Sequence, residues 1–123
     1  MSGRDFINQF VDAAGKGDEN TVRSLLLASK VNINDKNKFG KTALMYAASN
    51  NRESMVSLLI DKGADINMKR NNNGWTALMD AAMNNKESIV SLLIDRGADI
   101  NIKSNSGFTA LMDAASYNKE SIV

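Results

Sequence analysis

Gly40-Lys-Thr-Ala-Leu-Met-Tyr-Ala-Ala48 returns as Gly74-Trp-Thr-Ala-Leu-Met-Asp-Ala-Ala82 and again as Gly107-Phe-Thr-Ala-Leu-Met-Asp-Ala-Ala115. The glycines are 34 and then 33 residues apart, and residues 40–67 match residues 74–101 at 22 of 28 positions. A chain that copies itself at this period is built from stacked units, because one such unit cannot bury its apolar face alone. The extra residue of the longer spacing falls in Arg70-Asn71-Asn72-Asn73. An insertion tolerated in one copy marks a surface turn.

Each unit reads as two short helices and a long turn. Thr42, Thr76 and Thr109 stand as N-caps before Ala-Leu-Met-x-Ala-Ala, a run of good helix formers. A polar break at Ser49-Asn50-Asn51 or Met83-Asn84-Asn85 ends the first helix. The second opens near Arg52-Glu53 or Lys86-Glu87, its acid suited to the positive end of the helix dipole. Val56, Leu59 and Ile60 give it an apolar stripe at i, i+3, i+4. Gly63 and Gly97 sit where a left-handed residue closes a helix, and Asp65-Ile-Asn67 and Asp99-Ile-Asn101 begin the extended turn. Asn73-Gly74 in isolation signals a tight hairpin, but the helix starting at Thr76 makes it the base of a longer finger.

Residues 1–36 form a variant first unit, with Phe10, Ala13 and Ala14 in the places of Leu44, Ala47 and Ala48. Its Gly-x-Thr opening is missing, and Arg4, Asp5, Asn8, Gln9 and Asp12 add the polarity of a terminal cap. The remaining units run over 37–70, 71–103 and 104–123. The last stops as its second helix begins, leaving Leu111, Ala114, Ala115, Ile122 and Val123 on an unfinished face. That ending reads as a piece of a longer array; an engineered chain or one completed by self-association are the alternatives.

Gly-x-Thr-Ala-Leu-Met-x-Ala-Ala followed by Leu-Leu-Ile-Asp-x-Gly-Ala-Asp-Ile-Asn closely resembles the ankyrin repeat, over essentially the whole chain. The resemblance implies an all-α solenoid of helix pairs joined by extended fingers, and a single domain that binds proteins without catalysis. One departure is plain: the family usually has Thr-Pro-Leu-His where this chain has Thr-Ala-Leu-Met. Met45, Met79 and Met112 then put soft apolar packing in place of a histidine ladder.

Composition narrows the chemistry further. The 123 residues contain no histidine, cysteine or proline, which removes thiol nucleophiles, disulfides, Ser-His-Asp triads and most zinc sites. Fifteen basic residues against 14 acids leave a net charge of +1, with no global field for a nucleic acid or an anionic membrane. The N-terminus has no signal-type core and the longest apolar runs cannot cross a bilayer, so a cytoplasmic protein without cofactor or metal is expected. Gly15-Lys-Gly17 lacks the spacing of a phosphate loop.

In arrays of this kind partners usually dock on the finger tips and the exposed side of the first helices. By alignment that strip comprises Lys38, Phe39, Lys41, Ser49 and Asn50; then Asn72, Asn73, Trp75, Met83 and Asn84; then Asn105, Ser106, Phe108, Ser116 and Tyr117. The copies diverge here, as in Lys41/Trp75/Phe108 and Asn50/Asn84/Tyr117, and divergence within copies is where individual recognition resides. Trp75, Phe108 and Tyr117 are of the types enriched at interface hot spots; the competing role for Trp75 and Phe108 is to lie against the next finger and stiffen it. Asp80 and Asp113, with Asp12 beyond Tyr46, share one position on successive first helices. They read as solvated helix charges or as an acidic ladder facing a basic peptide. Glycosidase-type catalysis by them needs an enclosed sugar cleft, which nothing here supplies. Lys36, Lys38, Lys41, Lys69, Arg70 and Lys103 cluster near the finger tips, where solubility explains charge better than phosphate binding does. Asn34, Asn67 and Asn101 read as turn residues bonded to backbone. The expected partner is a protein or peptide, with a homodimer through the C-terminal repeat as a further possibility.

Overall fold

The computed structural model describes residues 2–112 as a ladder of helices without strands among them. The described elements are α1 (Gly3–Lys16), α2 (Glu19–Leu27), α3 (Ala43–Ser49), α4 (Glu53–Asp61), α5 (Ala77–Met83) and α6 (Glu87–Asp95). Helical backbone resumes at Ala110 and continues to Met112. Each odd-numbered helix packs on its even-numbered successor, and α3 packs between α1 and α5. This is the all-α solenoid the repeats imply.

The helices start and stop for local reasons. Thr42 Oγ1 accepts the Met45 N–H at 3.2 Å, and Thr76 and Thr109 cap Met79 and Met112 in the same way at 3.3 Å. The Met45 sulfur in turn accepts the Thr42 N–H at 3.4 Å, so this methionine does more than fill space. Ser2 and Asp5 form a reciprocal capping box on α1, and Asp18 caps α2 through Thr21. Arg52 and Lys86 give α4 and α6 no side-chain cap, leaving Glu53 and Glu87 to complement the dipole. At the other end of α4, Gly63 donates to Ile60 and Ala64 to Leu59, both at 3.0 Å. That paired closure requires the left-handed backbone of Gly63, φ 95°.

Ser29 takes the place of that glycine after α2, at φ 56°. A side chain in the left-handed region costs roughly 1–2 kcal/mol, part of which glycine returns as unfolded-state entropy. Ser29→Gly is therefore expected to stabilise the fold by about 1 kcal/mol, read as a melting temperature about 4 °C higher. A melting temperature unchanged or lowered contradicts this account of the α2 terminus.

The core runs along the stack. Phe10, Val22, Leu44, Met45, Met55, Leu59, Met79, Ile89 and Leu93 are fully buried, with alanines 14, 47, 48, 81 and 82 where helices approach closely. Gly15 belongs to this spacing, since a Cβ there would lie 2.8 Å from Cγ of the Tyr46 ring. The units are also stitched through polar groups. Asn34 Oδ1 accepts the Asp65 N–H at 2.8 Å, and one repeat later Asn67 Oδ1 accepts the Asp99 N–H at 2.9 Å. Asn34 and Asn67 thus bond backbone, and they do so across the repeat boundary. Asp61 and Arg96 add an ion pair between α4 and α6.

Candidate interaction surface

Three fingers project from the start of α3, from the start of α5 and from the turn before Ala110. In the first, Asn37 N–H donates to Lys41 O at 2.9 Å, while Asn37 Oδ1 accepts the N–H groups of Phe39 and Lys41, each at 3.0 Å. In the third, Ser104 N–H donates to Phe108 O at 2.8 Å, and Ser104 Oγ accepts from Ser106 and Phe108. The second closes by Arg70 N–H to Trp75 O at 2.8 Å, with Asn73 Oδ1 on the Trp75 N–H. Lys41, Trp75 and Phe108 therefore occupy one structural position, and the inserted residue lies within the second finger. The finger is longer than the hairpin that Asn73-Gly74 alone signals.

Neighbouring fingers are laced together. Lys36 Nζ donates to Lys69 O at 2.6 Å and Asn71 Oδ1 at 2.8 Å, and Arg70 Nε donates to Phe39 O at 3.3 Å. Asn105 N–H donates to Asn73 O at 2.9 Å, and the Asn105 amide to Asn72 O at 3.2 Å. Side-chain bonds between the first two fingers and a backbone bond between the second and third hold the side chains at their tips in fixed relation, so little order remains to be imposed on binding.

The sequence-derived strip is distributed unevenly on this frame. Lys38, Phe39, Asn72, Asn105, Ser106 and Phe108 are exposed, with Phe39 at 60% and Phe108 at 50%. Lys41, Ser49, Asn73, Trp75 and Met83 are half-buried, and Trp75 packs against the core. Asn50 and Asn84 are exposed, yet their amides are engaged: Asn50 donates to Gly15 O at 3.0 Å and Asn84 to Asp80 O at 2.7 Å. Asp80 is buried, at 3% exposure, and is not a solvated helix charge. Burial pushes its carboxyl up to about 6, against the pull of Lys41 and Arg70. Oδ2 of Asp80 has no hydrogen-bond partner among the described residues. Asp12 lies exposed, 3.0 Å from Lys16, and Tyr46 stands at the same repeat position in between. An open acidic ladder is therefore not what Asp12 and Asp80 make. Asp113, Ser116 and Tyr117, with Ile122 and Val123, lie outside the described residues.

Two open cavities of about 550 Å³ and 460 Å³ meet along the first two fingers, sharing Asn37, Lys38, Phe39 and Arg70. Arg4, Asn8, Gln9 and Tyr46 also face them, and the strip drawn from sequence leaves these four out. The signal for the α1 residues was present, since Asn8 and Asp12 are one turn apart on one helical face, but it reads equally as cap polarity. No cluster of metal-ligating side chains occurs among the described residues. None of the described helices is long and apolar enough to cross a membrane.

A family model for ankyrin repeats in three copies matches residues 10–104. Similar stretches occur in curated proteins. A palmitoyltransferase of Schizosaccharomyces pombe is 36% identical over 55 residues, covering 45% of this chain and 9% of that protein. A putative ankyrin repeat protein of Rickettsia bellii is 37% identical over 71 residues, 54% of this chain and 10% of its own length. Alpha-latrocrustotoxin-Lt1a of Latrodectus tredecimguttatus is 44% identical over 57 residues, 46% of this chain and 4% of the toxin. The chain thus spans about a tenth or less of the length of these relatives.

Proposed function

The chain belongs to the ankyrin repeat family, and from that premise we propose that it is a non-catalytic protein-interaction module whose partner docks on the fingers and the adjoining faces of α1, α3 and α5. Ankyrin repeats generally mediate protein–protein interaction. The observation that carries the reading is Phe39 and Phe108, each at least half exposed on fingers held by backbone hydrogen bonds. Large rings fixed on a rigid support are what interface hot spots are made of. Trp75, between them in the series, is half-buried and packs against the core. No cofactor and no catalytic group is part of the reading.

The test is affinity capture read by mass spectrometry with two baits, the native chain and Trp75→Ala/Phe108→Ala/Tyr117→Ala, both verified as folded by circular dichroism. We expect partners retained by the native bait at about tenfold higher yield or more, since one interface hot spot of about 2 kcal/mol is roughly thirtyfold in affinity. Identical capture by the two baits contradicts the aromatic strip.

A second reading has its own observation. Leu111 and Met112, at 53% and 48% exposure, and Ile94 and Ile100, at 45% and 54%, line one apolar cavity with Leu78 and Val90. A second copy docking there would make the chain self-associate through its last repeat. Sedimentation velocity decides it: a concentration-dependent dimer abolished by Ile94→Ser/Met112→Ser supports this reading, and a monomer at all concentrations ends it.

A further inference from the structure

The cavities over the first two fingers differ from the rest of the surface in how their charges are held. Arg4, Lys38, Lys41 and Arg70 line them, against the single carboxylate of Asp12. None of these four cations takes part in an ion pair among the described residues; the pairs there are Asp12–Lys16, Glu19–Arg23 and Asp61–Arg96. Asp12 is thus already matched by a lysine of its own helix. The cations are fixed mainly by neutral groups, with the buried Asp80 carboxyl within electrostatic reach of Lys41 and Arg70. Arg4 Nη1 donates to Lys36 O at 2.8 Å, and Arg70 Nε to Phe39 O. The Lys38 ammonium stands 5.3 Å from the centre of the Phe39 ring, and that of Lys41 5.2 Å from the Tyr46 ring. Carbonyls and ring faces orient a positive charge without cancelling it.

A groove of this make attracts an anion and meets it with charges already in place. The chain's net charge of +1 leaves little global field, so the excess at this groove is balanced elsewhere on the chain. Side-chain amides of Asn8, Gln9 and Asn37 line the same groove; the Asn8 and Asn37 oxygens accept the backbone N–H groups of Lys38, Phe39 and Lys41, which leaves their NH2 donors and the Gln9 amide to meet peptide groups. Phe39 adds an exposed ring at the rim.

We propose that this groove binds an acidic peptide segment, its carboxylates meeting Lys41 at one end, Arg4 at the other, and Lys38 and Arg70 where the two cavities join. The inference rests on the interaction-module reading and names the chemistry of the partner. It places recognition on the first two fingers, where the aromatic strip extends to the third.

Panning a random library of displayed peptides of about ten residues, which span about 30 Å when extended, supplies the probe. The baits are the native chain, Lys38→Glu/Lys41→Glu, and Trp75→Ala/Phe108→Ala, each verified as folded. The inference requires sequences enriched in Asp and Glu from the native bait and their loss from the charge-reversed bait, whatever share of them the aromatic variant retains. A selected peptide, fluorescein-labelled, should bind at least about tenfold more tightly than its Gln/Asn counterpart and than a single-stranded RNA of equal length, and should weaken as salt rises. Recovery of non-acidic sequences that depend on Trp75 and Phe108 overturns this inference and leaves the module reading standing. Recovery of no enriched sequence overturns it too. Equal affinity for the neutral counterpart overturns it as well, and tighter binding of the RNA assigns the groove to nucleic acid.

Discussion

Gly74→Ala will lower the unfolding free energy by about 3 kcal/mol. Two independent effects combine. Gly74 has φ 72°, where an alanine costs roughly 1–2 kcal/mol. Its missing side chain also leaves room for the next finger: a Cβ would stand 2.9 Å from the backbone nitrogen of Asn105 and closer still to its side-chain oxygen. That nitrogen donates to Asn73 O, so relieving the clash breaks a bond between fingers and adds roughly 1–3 kcal/mol. Gly63 provides the control. It has φ 95° but open space around it, so Gly63→Ala bears the dihedral cost alone. Urea titration followed by circular dichroism measures both. Equal losses in the two variants contradict the close approach of the second and third fingers.

Asp80→Asn is expected to stabilise the chain by about 2 kcal/mol at pH 7 and by little at pH 4. The carboxyl is buried, and one oxygen has no partner among the described residues. Desolvation raises it from 3.8 to about 6, with Lys41 and Arg70 offsetting part of the rise. The folded state therefore binds the proton more tightly than the unfolded state. The stability it contributes is fully present below 3.8 and is lost as pH rises through about 6. The interval between 3.8 and 6 corresponds to about 3 kcal/mol, and the asparagine keeps about 1 of it as the cost of burying its own unpaired amide. Denaturant midpoints of the two proteins across pH 4 to 8 carry the test. A constant offset across that range, or a destabilised Asn variant, contradicts a desolvated carboxylate.

Those two positions also mark the limit of what sequence reading reached. The Thr42 and Thr76 caps, the left-handed Gly63 and Gly97 and the apolar stripe of α4 were legible because each depends on residues within a turn or two. The exposure of Phe39 and Phe108 followed from the repeat register, as did the shared place of Lys41, Trp75 and Phe108. Asp80 was misjudged as a solvated charge because its burial is imposed by neighbouring repeats, and the alignment with exposed Asp12 points the wrong way. α1 leaves that position open, whereas α5, packed on α3, does not. Asn50 illustrates the same limit: its side chain looks free in sequence, but it donates to Gly15 O one repeat earlier. The finger-tip cluster of Lys38, Lys41 and Arg70 was legible, but Arg4 and the α1 face that complete the groove were missed for a related reason. Arg4 lies more than thirty residues from Lys36, Lys38 and Arg70, and only the stacking of α1 on α3 brings them together. Met45 is a further departure, because its sulfur accepts a backbone donor where simple packing was expected.

The central claim is that recognition resides on the fingers and not on the outer helices. Hydrogen–deuterium exchange of the chain with and without a captured partner tests it most directly. The account predicts new protection at residues 37–41, 70–75 and 104–108, with α2, α4 and α6 unchanged. Protection confined to α2, α4 and α6, with the fingers exchanging as in the free chain, contradicts it.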